Sequence, residues 1–145
     1  MQTFLPSADF RDCATVLDRQ RLGKQRVECL QILKCLTGSG TGWANHPAVR
    51  MWEGCTDVLA EYGLAICDEW LRRGYKDTCR DKILTLVPFR SSDPMQPLWM
   101  GDLRLHVSHQ SNLIRKFPEH YGPFWPDVSG NLPYFWPTNE KEMAQ

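Results

Sequence analysis

The stretch from Leu17 to Leu36, LDRQRLGKQRVECLQILKCL, limits the fold more than any other. Its apolar residues recur at helical spacing, not strand spacing. Stepping about 100° per residue, Leu22, Cys29, Leu30, Leu33 and Leu36 fall in one sector, and Arg21, Lys24, Gln25 and Glu28 gather on another face. Asp18 is placed to cap the helix, and the Gly/Ser/Thr-rich run at 37–42 to end it. Arg26 falls inside the apolar sector, so it must be paired or reach out by its stem. Gly23 inside a helix costs roughly 1 kcal/mol relative to alanine, which a close approach by another backbone or a ligand would explain.

The rest of the chain reads the same way. Asp9 or Asp12 caps a short helix through about Leu17. Asn45 or His46, followed by Pro47, opens a helix expected over 47–73, with Val49, Trp52, Leu59, Ile66 and Trp70 inward and Gly54 and Gly63 marking a bend or close packing. Residues 76–86 add a short helix. A proline-interrupted loop spans 88–98, and a last helix runs from about Gly101-Asp102 to Lys116. Residues 1–8 are expected to lie against the body. After Pro118 come Tyr121, Phe124, Trp125, Tyr134, Phe135 and Trp136, expected as an aromatic coil, mostly core, with one or two rings able to face a ligand. Strand patterns are nearly absent. The expected fold is all-α: one compact domain over 1–137, three main helices, an irregular aromatic C-terminal segment, and a flexible tail at 138–145.

The chain has 145 residues, enough for one core, and six cysteines without a CxxC pair, read as buried, reduced thiols of a cytoplasmic protein. Nothing approaches a membrane helix. Seventeen basic and seventeen acidic residues cancel, which argues against a purely electrostatic nucleic-acid binder. The charge is uneven, however: Asp18 to Lys34 holds five basic and two acidic residues, a local net of +3.

Arg19, Arg21, Lys24 and Arg26 with Glu28 form the main constellation. Arginine forks match phosphate oxygens. The plainer reading is a solvated helix face with Glu28 paired to Lys24 at i,i+4. His106 and His109, at i,i+3, share a face, but no ligand set completes a zinc site, so hydrogen bonding is the alternative for them and for His46. The glycine-rich loop at 38–42 lacks the ending of a phosphate loop, and no triad or metalloprotease signature occurs.

Taken together these residues resemble the pyrimidine-dimer DNA glycosylase/AP lyase family of the phage endonuclease V type. Gln20-Arg21-Leu22 followed by Glu28 resembles the family's helix bearing Gln-His-Leu and the catalytic Glu. His46 and the long segment ending Leu71-Arg72-Arg73-Gly74-Tyr75 resemble the family's His, long helix and Leu-Lys-Arg-Gly-Phe. Gly101-Asp102 with His106, and the aromatic C-terminus, complete the match in order. The resemblance implies a helical domain that kinks DNA and displaces a nucleotide. In that family an N-terminal α-amine attacks deoxyribose C1′, forms an imine and cuts the strand by β-elimination. An α-amine, with pKa near about 8, suits this better than a lysine near about 10.4.

Carried over by position, Glu28 is the catalytic carboxylate and Arg21 replaces a DNA-contacting His. The phage members begin Met-Thr. Here Gln2 follows Met1, so the candidate nucleophile is the Met1 amine. Val27 and Gln31 stand where the family has arginines.

The expectation is therefore a DNA repair glycosylase, extended to AP-lyase activity, acting on a damaged or modified pyrimidine. Glu28 and Met1 are the catalytic candidates. Arg19, Arg21, Lys24, Arg26, His46, His106 and Gln2 are the DNA- or substrate-binding candidates. The partner is double-stranded DNA, the state monomeric, and no metal or cofactor is expected. Two rival readings fit the same residues: a non-catalytic DNA-binding module, or an enzyme acting on a small pyrimidine-like ligand.

Overall fold

The computed structural model describes residues 1–40, 42 and 44–137. Its helices, in chain order, are α1 (Phe10–Val16), α2 (Arg19–Leu36), α3 (Pro47–Arg50), α4 (Thr56–Arg72), α5 (Cys79–Leu86), α6 (Leu103–Lys116) and α7 (Pro118–Tyr121), followed by a 3₁₀ turn, Gly122–Phe124. No strand occurs among the described residues. The protein is all-α, with α2, α4 and α6 as its long helices. The expected tail at 138–145 and part of the 38–42 loop lie outside the described residues.

The capping chemistry sets the starts. The Asp9 side chain accepts the N–H of Asp12, Asp18 that of Arg21, His46 Nδ1 that of Ala48, and Asp102 that of Arg104. Where one helix was expected over 47–73, the chain makes two. Gly54 has φ +78°, a left-handed conformation that no helix interior accommodates, and the turn it makes separates α3 from α4. Val49, Trp52, Leu59 and Ile66 still all reach the core, so the apolar period survives the break and hides it.

α2 packs along α4, and α5 lies against both. Two glycines sit where the helices meet. A Cβ at Gly23 would stand 2.9 Å from the Trp70 ring, and one at Gly63 would stand 2.6 Å from Cys29 Sγ and 2.9 Å from Ile83. The close approach at Gly23, expected from another backbone or a ligand, is made instead by an aromatic side chain. None of the six cysteines is in a disulfide, and five of them are buried.

The N-terminal segment is inserted rather than merely laid on the surface. Gln2 to Pro6 are buried, Thr3 and Leu5 completely. Trp52 Nε1 donates to Thr3 Oγ1 at 3.0 Å, and Trp52 packs edge-on to Trp99, whose Nε1 donates to the Met51 carbonyl. Buried backbone polar groups need partners, and helices supply them here. Leu5 N–H donates to His109 Nδ1 at 2.8 Å, the Leu5 carbonyl faces His106 Nδ1 at 2.8 Å, and Gln110 Nε2 donates to the Pro6 carbonyl.

Beyond α6 the aromatic segment is partly helical rather than wholly coil. Tyr121 is fully buried; its hydroxyl accepts the Asp18 N–H at 2.9 Å and donates to the Asp18 carboxylate. The C-terminal third is thereby latched to the start of α2.

Candidate functional site

A cleft of roughly 430 Å³ opens beside the N-terminus. Its walls come from four parts of the chain: Met1, Gln2 and Phe4 from the inserted segment; Gln20, Arg21, Lys24, Gln25 and Glu28 from α2; His46 from the cap of α3; and Lys116, Tyr134 and Trp136 from the C-terminal third. The α2 contribution follows from its sequence. The polar residues gathered on one face of the helix are those that reach the cleft.

Glu28 sits at the centre of this arrangement. Its Oε2 accepts the backbone N–H of Gln2 at 3.0 Å, and its Oε1 lies 3.9 Å from Lys24 Nζ. The Glu28 side chain is 15% exposed, whereas that of Lys24 is 75% exposed. The ion pair anticipated between them exists but is long and wet, and the backbone contact is the closer one. Standard bond lengths put a residue's nitrogen at most about 3.6 Å from the next. The Met1 amine therefore lies within about 6.6 Å of the Glu28 carboxylate, that reach added to the 3.0 Å contact.

His46 holds its ring by Nδ1, which accepts the Ala48 N–H at 3.0 Å, and meets Trp136 edge-on with centroids 6.0 Å apart. Loss of solvent lowers its pKa first, and the positive charge of the N-terminus lowers it further; Glu28 opposes them in part. A ring whose Nδ1 must accept is a neutral ring with its proton on Nε2. Across the cleft, burial raises the Tyr134 pKa; its ring packs against Trp136 and, edge-on, against His109. Arg21 is oriented by Asp18, whose Oδ1 accepts from Arg21 Nη1 at 3.2 Å.

The cleft thus assembles Met1, Gln2, Arg21, Lys24, Glu28 and His46, and leaves out three residues expected with them. Arg26 turns the other way. Its guanidinium pairs with Asp77 at 2.5 Å and lies over the Trp70 ring at 4.3 Å. Burial pushes the Asp77 carboxyl up, but the guanidinium and the N–H groups of Arg80 and Cys79 outweigh it and hold the pKa below the ordinary value. The apolar sector in which Arg26 sits on the helical wheel is the reason. His106 is buried with its Nε2 accepting the Gly101 N–H at 3.1 Å, which leaves Nδ1 to donate to Leu5, so it braces the N-terminal segment from behind. Arg19 is exposed and outside the cleft lining.

Sequence reasoning missed Gln25, Lys116, Tyr134 and Trp136 as individual cleft residues. Gln25 had a signal, its shared face with Glu28. The aromatics had only the general one that a ring or two would face a ligand. Lys116, the last residue of α6, had none.

A carboxylate beside an α-amine, a neutral imidazole, two aromatic rings and a rim of Arg21, Lys24 and Lys116 can hold a phosphate-bearing ligand and move protons on it. Among the described residues no group of three His, Cys, Asp or Glu is arranged to hold a metal ion, and no helix is long and apolar enough to cross a membrane. What these features define is an all-helical protein whose open cleft gathers a carboxylate, an imidazole, two aromatic rings and three basic side chains. The profile of the pyrimidine dimer DNA glycosylase family matches residues 1–83, more than half of the chain, and the protein belongs to that family. No curated protein matches, and no solved structure does. Of the cleft, everything but Lys116, Tyr134 and Trp136 lies inside the matched region.

Proposed function

We propose that the chain is a DNA repair glycosylase that removes a damaged or modified pyrimidine, a pyrimidine dimer in the first instance, from double-stranded DNA, and that it also cleaves the resulting abasic site. The observation that carries this reading is the Gln2 N–H to Glu28 contact, which tethers the terminal residue beside a carboxylate in an open cleft.

The chemistry runs as follows. The lone pair of the neutral Met1 amine forms a bond to C1′ as the glycosidic bond breaks. The base leaves with the electron pair of the glycosidic bond and takes up a proton. The alkylated Met1 nitrogen gives a proton to the Glu28 carboxylate, which passes it to O4′ as the C1′–O4′ bond opens and leaves a protonated imine. Glu28, now a base, removes a C2′ proton, and the 3′ phosphate departs in β-elimination. Water hydrolyses the imine and frees the amine. Arg21, Lys24 and Lys116 hold flanking phosphates, and Tyr134 and Trp136 offer faces on which a displaced base stacks. The amine must be neutral and terminal for the first step.

Borohydride trapping on DNA with a single abasic site tests the mechanism. A covalent adduct whose mass maps to the N-terminal peptide is expected, and N-terminal acetylation should abolish it. Base release without an adduct would leave a glycosylase that uses water. Salt-sensitive DNA binding with neither would refute the enzymatic reading.

A further inference from the structure

Of all the cleft residues, Gln25 is the most completely committed to the N-terminal segment. It lies on α2 one turn before Glu28 and is 1% exposed. Its Oε1 accepts the Phe4 N–H at 2.7 Å and stands 3.0 Å from the Tyr62 hydroxyl, which is also 2.7 Å from the Phe4 carbonyl. Its Nε2 donates to the Gln2 carbonyl at 2.5 Å.

This pattern has a register. Along an extended chain the polar groups of residues two apart face the same side. Gln2 N–H, Gln2 C=O and Phe4 N–H all turn to α2, where Glu28 takes the first and the Gln25 amide takes the other two, as a neighbouring strand would. Leu5 turns to α6, where His109 and His106 take its N–H and C=O. Residues three apart on a helix stack on one face, so α2 offers Gln25 and Glu28 as a matched pair of grips. A slip of the segment by one residue would face each grip with the wrong groups and carry the terminal amine about 3.3 Å along the helix.

We infer that Gln25 is a positioning residue that sets the register of the N-terminal segment against α2, and through it the placement of the terminal amine beside Glu28. The catalytic consequence rests on the amine chemistry proposed above; the register does not.

The test uses the full chain as wild type, Gln25→Met and Gln25→Glu. Gln25→Glu keeps the shape and the Oε1 acceptor for Phe4, and sets a carboxylate oxygen against the Gln2 carbonyl where the donor stood, so it carries the test if Gln25→Met unfolds. Two readouts are taken on folded protein. The first is the rate at which cyanate carbamylates the α-amine, followed by mass spectrometry. A released amine is expected to react faster in both variants. The second is the single-turnover rate of borohydride trapping on abasic DNA, against affinity for DNA carrying a tetrahydrofuran abasic analogue. Trapping is expected to fall by about 100-fold, the scale of an ångström-level misplacement, with affinity unchanged. A folded variant with wild-type carbamylation overturns the inference, and so does one that traps at the wild-type rate. If the wild type itself does not trap while carbamylation still responds to Gln25, the amine mechanism fails and the register assignment stands.

Discussion

Replacing Glu28 by glutamine separates a catalytic carboxylate from a structural one. The side chain has two visible tasks. It accepts the Gln2 N–H at 3.0 Å, and it faces Lys24 at 3.9 Å. Glutamine keeps an acceptor for the first, so the loss is that of a charge-assisted bond becoming neutral, about 1 kcal/mol. The second pairs a largely exposed lysine and is worth at most about 1 kcal/mol. Stability should therefore fall by no more than about 2 kcal/mol. General acid–base catalysis contributes about 10²- to 10⁴-fold, which at 1.36 kcal/mol per tenfold is about 3 to 5 kcal/mol of barrier. The assay pairs a denaturant midpoint with the single-turnover rate of strand cleavage at abasic DNA. Expected is a folded variant that binds DNA normally and cleaves at least about a hundredfold more slowly. Wild-type cleavage by Glu28→Gln would refute the acid–base role outright. A midpoint collapse with proportional loss of activity would make Glu28 a tether and nothing more.

Three further outcomes follow from the same geometry. Arg26→Met should lower stability by about 3 kcal/mol, because it strands the buried Asp77 carboxylate, and should leave DNA affinity unchanged; the reverse pattern in a binding titration would return Arg26 to the DNA contacts. Burial lowers the His109 pKa from 6.5 to about 3. The unfolded state then binds the extra proton, so stability is complete above pH 6.5 and is lost as pH falls toward 3. At pH 5 the loss is about 2 kcal/mol, read from urea midpoints at pH 5 and 7.5, and His109→Asn should flatten the difference. Lys116→Ala should weaken DNA binding alike for all sequences and reduce the log–log salt slope by about 0.9; an unchanged slope would take Lys116 off the phosphates.

Much of the helical layout was legible because it rests on local chemistry. Asp9, Asp18, His46 and Asp102 each cap where a short polar side chain precedes a helical apolar run, and capping acts over three residues. Gly23 announced a close neighbour because a glycine inside a helix is otherwise a loss. Gly54 was legible only as a bend or close contact and not as a break into two helices, since the apolar period runs through it in phase. The site was partly legible: one face of α2 named Arg21, Lys24 and Glu28 together, while Arg26 was counted with the DNA contacts although the wheel put it in the apolar sector. His106 could not be assigned from spacing, because the i,i+3 pair it forms with His109 serves a backbone segment about a hundred residues away.

The sequence alone determined that the chain is helical, where most helices begin, and which face of α2 is polar. These depend on neighbours three and four residues apart, and such neighbours are always present. Only the tertiary structure decided that residues 2–6 are buried, that the Gln2 N–H meets Glu28, and that Lys116, Tyr134 and Trp136 close the cleft. Those contacts join segments far apart in the chain. Their cause is the need of every buried backbone group for a partner, and no local pattern says which distant side chain will meet it.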